Sequence, residues 1–261
     1  MKKIIIFTGF VLLLASCAQV AESLIDGAIN GASRAITERA ANAAYKKLAS
    51  KEKLPAPSTA LWNQFMVAQA QVIFTYSFAP GGLWISKNEF KPGEYTNFKM
   101  IDEADKSEII IERAYLKKMN NGDQWWRTSW KDGEDEWVYE ALLSSQDGRL
   151  LRLRGKDSEN NVGEIPVTDQ VIDMNPGEVS EESIEGAKLG SETIKTPAGS
   201  FKTDRIHFMA ITGEEAIDWW ITDEIPGGVV KYQLVDTDKT ILWTNILTEY
   251  GNNASTQLSS F

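Results

Sequence analysis

The sequence has very few of the residues that build metal centres and nucleophilic active sites. Its 261 residues include one cysteine, Cys17, and one histidine, His207. Neither a disulfide nor a His-pair or His–Cys zinc site can therefore form within one chain. A catalytic triad would have only His207, which lies on a predicted strand, and no serine sits in a Gly-x-Ser-x-Gly elbow. We predict a non-enzymatic protein with no catalytic residues, no metal and no cofactor.

An excess of basic residues is also missing. The chain has 37 Asp and Glu against 27 Lys and Arg, a formal charge of −10. A nucleic-acid partner would require a basic face, so this class of partner is excluded. Acidic residues gather at two turns, and solvated hairpin turns are the interpretation we favour over calcium or a glycosidase acid pair. These residues are Asp132, Glu134, Asp135, Glu136, Glu214, Glu215, Asp218, Asp223 and Glu224.

No apolar run is long enough to cross a bilayer, and the longest stands at the start of the sequence. Lys2 and Lys3 precede an uncharged apolar stretch, residues 4–14, and small residues follow it. A short positive region, a short apolar segment and small residues before a cleavage point are typical of an export signal. We predict that residues 1–16 form a signal peptide.

The end of that segment, Leu14-Ala15-Ser16-Cys17, resembles a bacterial lipobox. The resemblance implies that the chain is cut before Cys17 and that the sulfur of Cys17 carries a diacylglycerol, with acyl chains such as palmitate. Several acyl chains on one terminus give stable membrane anchoring. Ala18, in place of an aspartate after the cysteine, implies an outer-membrane location facing the periplasm.

The next segment has the periodicity of a helix. Small and aliphatic residues recur every fourth position between Ala18 and Lys53, which predicts a helical spacer. Leu54-Pro55-Ala56-Pro57 ends it, because proline disfavours helix at the preceding residue. The predicted organisation is a lipidated cysteine and spacer over residues 17–58, followed by an antiparallel β-domain over residues 59–261.

After residue 66 the period of the pattern changes to two, which is the period of a β-strand. Short turns separate neighbouring strands, so the sequence predicts antiparallel hairpins joined in a meander. An acidic stretch, residues 156–190, interrupts the meander and contains a short helix opened by Ser180. The polar residues after Gly251 predict a frayed terminus. The predicted strands cover residues 66–78, 93–101, 108–117, 124–131, 136–143, 149–154, 191–195, 201–210, 216–222, 228–235 and 239–248.

Tryptophan is unusually abundant, with nine residues. Two pairs are adjacent in sequence, Trp125-Trp126 and Trp219-Trp220, so on a strand one ring of each pair faces the core and the other faces something else. A covered aromatic core, an apolar cavity for a lipidic ligand and a sugar-stacking surface are the three interpretations. The candidate ligand-binding residues are Trp84, Trp125, Trp126, Trp130, Trp137, Trp219 and Trp220.

Two motifs resemble uncharacterised bacterial envelope domains similar to the lipoprotein carriers LolA and LolB. They are Thr196-Pro197-Ala198-Gly199-Ser200-Phe201-Lys202-Thr203, and Trp219-Trp220 followed by Ile225-Pro226-Gly227-Gly228-Val229-Val230-Lys231. The resemblance covers roughly residues 190–250 and brings no catalytic residues with it. It implies a meander curved into a half-barrel or barrel, with an acyl chain held on the concave face.

These observations predict an envelope lipoprotein of the mainly β class that binds an apolar or lipidic ligand on the concave face of its sheet. Its partners are then the membrane, reached through Cys17, and that ligand. A structural or assembly lipoprotein, acting through its helix and acidic surface, is one alternative. A carbohydrate-binding lipoprotein is the other.

Overall fold

The fold is seen in a computed structural model that describes residues 88–165, 167, 179–209 and 215–261. This part of the chain contains eleven strands and one short helix. In chain order they are β1 Tyr95–Asp102, β2 Glu108–Lys118, β3 Gln124–Asp132, β4 Asp135–Leu143, β5 Leu150–Lys156, β6 Val162–Ile165, α1 Glu181–Gly186, β7 Lys188–Thr196, β8 Gly199–Met209, β9 Glu215–Ile221, β10 Val229–Asp236 and β11 Ile241–Gly251.

Every predicted strand that lies within the described residues is present, with its ends shifted by a few residues. Helix α1 is also where the sequence predicts it. The Ser180 hydroxyl accepts a hydrogen bond from the Ser183 amide at its N-terminus. Strand β6 was not predicted and lies in the interrupting acidic stretch. The predicted signal peptide, the predicted helical spacer and the predicted strand at 66–78 lie outside the described residues, as do Cys17 and Trp84.

All strands join one antiparallel sheet in the order β6-β5-β4-β3-β2-β1-β11-β10-β9-β8-β7. Two meanders, β1–β6 and β7–β11, therefore meet where β1 pairs with β11. The predicted mainly β, antiparallel meander is confirmed. Within the described residues the order is open, with β6 and β7 as its edges. No helix in the described part of the chain is long and apolar enough to span a membrane.

Alternation along the strands gives the sheet two chemically different faces. In β1, Thr96, Phe98, Met100 and Asp102 are buried while the residues between them are half-buried. Residues directly opposite on neighbouring strands lie on the same face. We call the face of Phe98 the aromatic face and the face of Lys99 the polar face.

The C-terminal residues 252–261 do not fray. They lie on the polar face, where backbone and side-chain groups bond to side chains of β3, β4 and β5. The prediction of a frayed terminus was wrong because it rested on polarity alone. Polar residues are ordered when a buried partner matches their hydrogen bonds.

Candidate functional site

The strand register collects most of the described tryptophans on the aromatic face. Trp130 faces Ile111 and Trp137 on its neighbouring strands, and Ile111 faces Phe98. Trp219 reaches the same face through Tyr232, which opposes both Trp219 and Asn245. One ring of each adjacent tryptophan pair therefore points into a shared apolar layer. The tryptophans of this face are Trp126, Trp130, Trp137, Trp219 and Trp243.

The aromatic face on the β2–β6 side is built around Trp126. Its ring stacks on Tyr115, with centroids 4.6 Å apart, and meets the edge of Phe90 at 5.4 Å. Trp130 and Trp137, a directly opposed pair, are partly buried and pack against this cluster. Among the candidate tryptophans of the aromatic face, this pair is the one whose rings are incompletely covered.

A second apolar cluster covers the β8–β11 side of the same face. Trp219 is 1% exposed and meets Phe208 edge-on, with ring centroids 5.6 Å apart. Phe98 and Leu247 belong to this cluster and lie on the two strands that join the meanders. The second cluster is therefore continuous across the β1–β11 seam.

A buried arginine stands beside both clusters. The Arg113 Nε donates to the Thr96 hydroxyl at 3.0 Å, and the guanidinium lies 5.1 Å from the Phe90 ring centre and 5.3 Å from that of Phe98. Complete burial lowers the pKa of Arg113 to about 10. No local pattern in the sequence predicts that this arginine is buried.

The polar face of β8–β10 carries an organised charge cluster around Trp220. Asp218, whose side chain is 7% exposed, accepts hydrogen bonds from Arg205 Nη2 at 2.6 Å, and its other oxygen lies 2.6 Å from His207 Nδ1. On the next row, Trp220 lies between Arg205 on β8 and Lys231 on β10. We call Arg205, His207, Asp218, Trp220 and Lys231 the Trp220 cluster.

On the other half of the polar face, a pocket of about 300 Å³ lies beside the C-terminal segment. Glu112 and Arg127 form a salt bridge of 2.6 Å in its wall. The Tyr95 hydroxyl donates to Glu249 at 2.8 Å, which raises the pKa of Tyr95. These charged and polar side chains are thus hydrogen-bonded in pairs along the pocket wall.

The C-terminal segment is held by a row of three cross-strand charges, Arg127, Glu140 and Arg154. Glu140 is fully buried, and its carboxylate accepts bonds from the Thr256 hydroxyl at 2.7 Å and the Gln257 amide at 2.6 Å. It also accepts bonds from the Leu258 amide and the Ser260 hydroxyl. The two arginines donate to the carbonyls of Ser255 and Ser259.

The seven candidate tryptophans are thus divided by the fold. Trp126, Trp130, Trp137 and Trp219 share the aromatic face. Trp125 lies on the polar face, with its ring centre 5.8 Å from that of Phe261, and Trp220 lies between two cations. Trp84 is outside the described residues. In the described ranges, no three His, Cys, Asp or Glu side chains converge as a metal site.

Sequence reasoning missed Glu140 and Arg113. The interpretation of Asp218 as part of a solvated turn was wrong, because Asp218 lies within β9 and is 5% exposed. Arg205 and His207, two apart on a strand, share a face, which was a usable signal for the Trp220 cluster. Asp218 stands beside Trp219 in one of the adjacent-tryptophan motifs, but its partners come from β8. Glu140 had no local signal, since its partners lie more than 110 residues later in the chain.

Comparisons with known proteins give no family assignment. No family model matches the chain, and no curated protein matches it. Among solved structures, MucB in complex with MucA(peri) has 13% identity and a TM-score of 0.38, with 66% of this chain and 54% of that chain covered. This chain therefore spans about half the length of that MucB chain.

Two further solved structures are similar over most of their own lengths. A putative exported protein with a YmcC-like fold from Bacteroides fragilis has 13% identity and a TM-score of 0.36, with 64% of this chain and 99% of that chain covered. A putative lipoprotein from Parabacteroides distasonis has 11% identity and a TM-score of 0.30, with coverage of 64% and 98%. Likeness at this level assigns no activity or partner to this chain.

Proposed function

We propose that this chain is a non-enzymatic lipoprotein of the bacterial envelope that binds an apolar or lipidic ligand on its aromatic face. The observation that carries the proposal is the strand register, which gathers Trp126, Trp130, Trp137 and Trp219 on one side of the sheet. Small-molecule sites are lined mainly by apolar and aromatic side chains with a few polar groups.

The pair Trp130 and Trp137 is the part of this face best suited to contact a ligand. The two rings oppose each other across β3 and β4 and are only partly buried, next to a cluster whose other members are closed. Indole rings provide large apolar area while their N–H groups stay near polar surroundings. An acyl chain laid against this pair would extend the apolar layer without disturbing it.

The histidine and its charged partners are placed on the other face of the sheet, which supports a binding role. His207 lies on the polar face, where Asp218 holds it beside Arg205. The sheet therefore separates this histidine from the aromatic face by its own backbone layer. A ligand bound at Trp130 and Trp137 would not meet the imidazole.

The anchor in this proposal is a lipidated Cys17, placed at the outer membrane and facing the periplasm. Cells fed labelled palmitate should label the wild-type protein, whereas Cys17→Ser should accumulate as an uncut and unlabelled precursor. A wild-type protein that takes up no label would contradict the anchor.

Ligand binding is tested on the full-length protein extracted from its native membrane in a neutral detergent. Organic solvent removes a non-covalently held lipid but leaves acyl chains that are covalently attached at Cys17. Mass spectrometry of the extract should show a lipid at a fixed ratio to the protein. An extract that contains only the lipids of a mock purification would contradict ligand binding.

A matched pair of variants assigns the ligand to a face. Trp130→Leu with Trp137→Leu should reduce the co-extracted lipid by about tenfold, since losing about 60 Å² of apolar contact at roughly 25 cal/mol per Å² corresponds to that factor. Trp125→Leu makes the same chemical change on the polar face, outside the Trp220 cluster, and should leave the lipid ratio unchanged. Equal losses in both proteins, at equal urea midpoints, would show that the ligand does not lie on the aromatic face.

The two alternative functions have less support. The helix of the assembly alternative lies outside the described residues. A sugar-stacking surface requires an open ring, whereas Trp220 is 4% exposed and lies between two cations. Neither feature favours a second function over the binding role.

A further inference from the structure

We infer that the Trp220 cluster on the polar face is a binding site for an anionic oxygen group, a phosphate or carboxylate. The site is separate from the aromatic face and does not depend on the proposed function. Its main elements are Lys231 and Arg205, which approach one indole ring from the two strands that flank it.

The carboxylates of this region already have partners. Both oxygens of Asp218 are used, one by Arg205 Nη2 and the other by His207 Nδ1. Glu192 accepts the Trp220 indole N–H at 2.6 Å. Each acidic group is therefore engaged in orienting a neighbouring side chain.

Two cationic nitrogens beside these carboxylates have no hydrogen-bond acceptor in the described part of the chain. Lys231 Nζ lies 4.2 Å from the centre of the Trp220 ring and, among the described residues, has no salt-bridge or hydrogen-bond partner. Arg205 Nε is buried and has no hydrogen-bond partner there either. A half-buried ammonium without an acceptor is costly, because water is partly removed and nothing replaces it.

Burial also lowers the pKa of Lys231, and this effect outweighs the opposing effect of the carboxylates of Glu192, Asp218 and Glu103. An arriving anion would offset the cost of that burial. The net charge of −10 disfavours unspecific attraction of anions to this protein. Retention of an anion would therefore require local contacts of the kind found here.

The spacing of the two cations suits a small oxyanion. Arg205 and Lys231 stand on strands that are two positions apart, so their backbones are separated by roughly 10 Å. Both cations lie over the same indole ring, with the Arg205 guanidinium 5.2 Å and Lys231 Nζ 4.2 Å from its centre. A phosphate with one hydrogen bond on each side spans about 8 Å. His207 lies one row away, with Nδ1 2.6 Å from an Asp218 oxygen, and can report on binding at this site.

Because His207 is the one histidine in the sequence, its imidazole resonance reports on this site alone. Full-length protein with labelled histidine and no added histidine tag, in a neutral detergent, should show one imidazole resonance from His207. Inorganic phosphate and acetate are titrated separately at constant ionic strength, with chloride as the balancing anion. A short-chain phosphatidylglycerol is the third titrant, which distinguishes a lipid headgroup from a free anion.

A saturable shift of the His207 resonance with any of the three titrants is the expected result. A shift with phosphate or acetate identifies a free-anion site, and a shift with the phospholipid alone identifies a headgroup site. Lys231→Gln should weaken the binding by about tenfold or more, the usual effect of losing a charge-assisted hydrogen bond. Lys202→Gln, the same change at an exposed position on β8, should leave it unchanged.

Two outcomes would overturn the inference. One is the absence of a saturable shift with all three titrants in a protein whose urea midpoint is normal. The other is equal affinity in the wild-type, Lys231→Gln and Lys202→Gln proteins, which would mean that the shift reports general ionic effects.

Discussion

At the scale of single residues, the most constrained positions are those where the backbone or a buried polar group leaves no alternative. Gly227 has a φ of +71°, in the left-handed region, and a Cβ there would lie 2.5 Å from the Phe90 ring and 2.6 Å from Arg113 Nη2. Asn88 holds the same turn by donating to the Ile225 carbonyl at 3.0 Å. This turn therefore packs against the buried side chain of Arg113.

Gly227→Ala should destabilise the protein by about 2–5 kcal/mol, because left-handed strain and a steric overlap add together. Gly133 is a matched control, with a φ of +61° and open space around its Cα hydrogens. Gly133→Ala should cost only the strain, about 1–2 kcal/mol. Urea unfolding measures both changes. Equal costs would mean that the contacts with Phe90 and Arg113 relax freely.

The titration of Tyr232 sets part of the change in the free energy of unfolding at alkaline pH. Burial raises its pKa to about 12, whereas an unfolded tyrosine titrates near 10, so the neutral phenol is favoured in the folded state. Its stabilising effect is complete below about pH 10 and is lost as the pH rises toward 12. Tyr232→Phe should therefore lose about 1.4 kcal/mol less than wild type between roughly pH 9 and pH 11.

The control for this profile is Tyr250→Phe, since the Tyr250 residue is 40% exposed. The lowered pKa of Arg113 acts in the opposite sense, because its buried charge becomes neutral at high pH. Arg113 is present in wild type and in both variants, so the effect of its burial is common to all three. Its electrostatic interaction with Tyr232 is lost only in Tyr232→Phe. Parallel stability curves for wild type and Tyr232→Phe would contradict the assignment.

At the scale of elements, the C-terminal segment behaves as an extra layer on the polar face. It belongs to none of the strands, and the row Arg127, Glu140 and Arg154 supplies most of its hydrogen bonds to the sheet. The Ala254 amide also donates to the Gly93 carbonyl at 2.8 Å. Phe261 adds a ring contact with Trp125 and lies beneath the Lys117 ammonium, 4.6 Å from the ring centre. The buried carboxylate of Glu140 thus holds the part of the segment between Thr256 and Ser260.

Glu140→Ala should destabilise the protein by about 3–5 kcal/mol, because two backbone amides lose their acceptor and two arginines lose the charge between them. It should also make residues 252–261 sensitive to carboxypeptidase. Glu108→Ala, at an exposed glutamate paired with Lys99, should cost less than about 1 kcal/mol. A C-terminus that stays resistant in Glu140→Ala would show that the apolar contacts of Phe261 hold the segment alone.

At the scale of the whole molecule, the pairing of β1 with β11 decides the architecture of the described region. It joins strands from opposite ends of that region, with Tyr95 opposite Gly251 and Asp102 opposite Trp243. The second apolar cluster crosses the same seam through Phe98 and Leu247. The buried face of the second meander is therefore completed by Phe98 from the first.

The two meanders should therefore unfold together. Hydrogen exchange of peptides from β3–β4 and from β8–β9, followed by mass spectrometry across a urea series, should give coincident midpoints. Gly227→Ala should lower both midpoints by the same amount. Two separated transitions would mean that the β1–β11 seam couples the halves weakly.

Local sequence was sufficient for the described strands and for the helix opened by Ser180. Period-two alternation, turn residues and an N-terminal cap act within a few residues, so they can be read without tertiary structure. Adjacent tryptophans likewise had to face opposite sides of the sheet. Strand β6 could not be predicted because its four residues are too few to establish a period.

Only the tertiary structure decided which residues meet across the chain. The sequence could not show that β1 pairs with β11, that Glu140 binds the C-terminal segment, or that Trp220 lies between Arg205 and Lys231. These contacts depend on the register of strands brought together by long-range packing, and a shift of one residue would exchange the two faces. Local patterns fix which side chains alternate, whereas burial of the whole sheet fixes what each side chain touches.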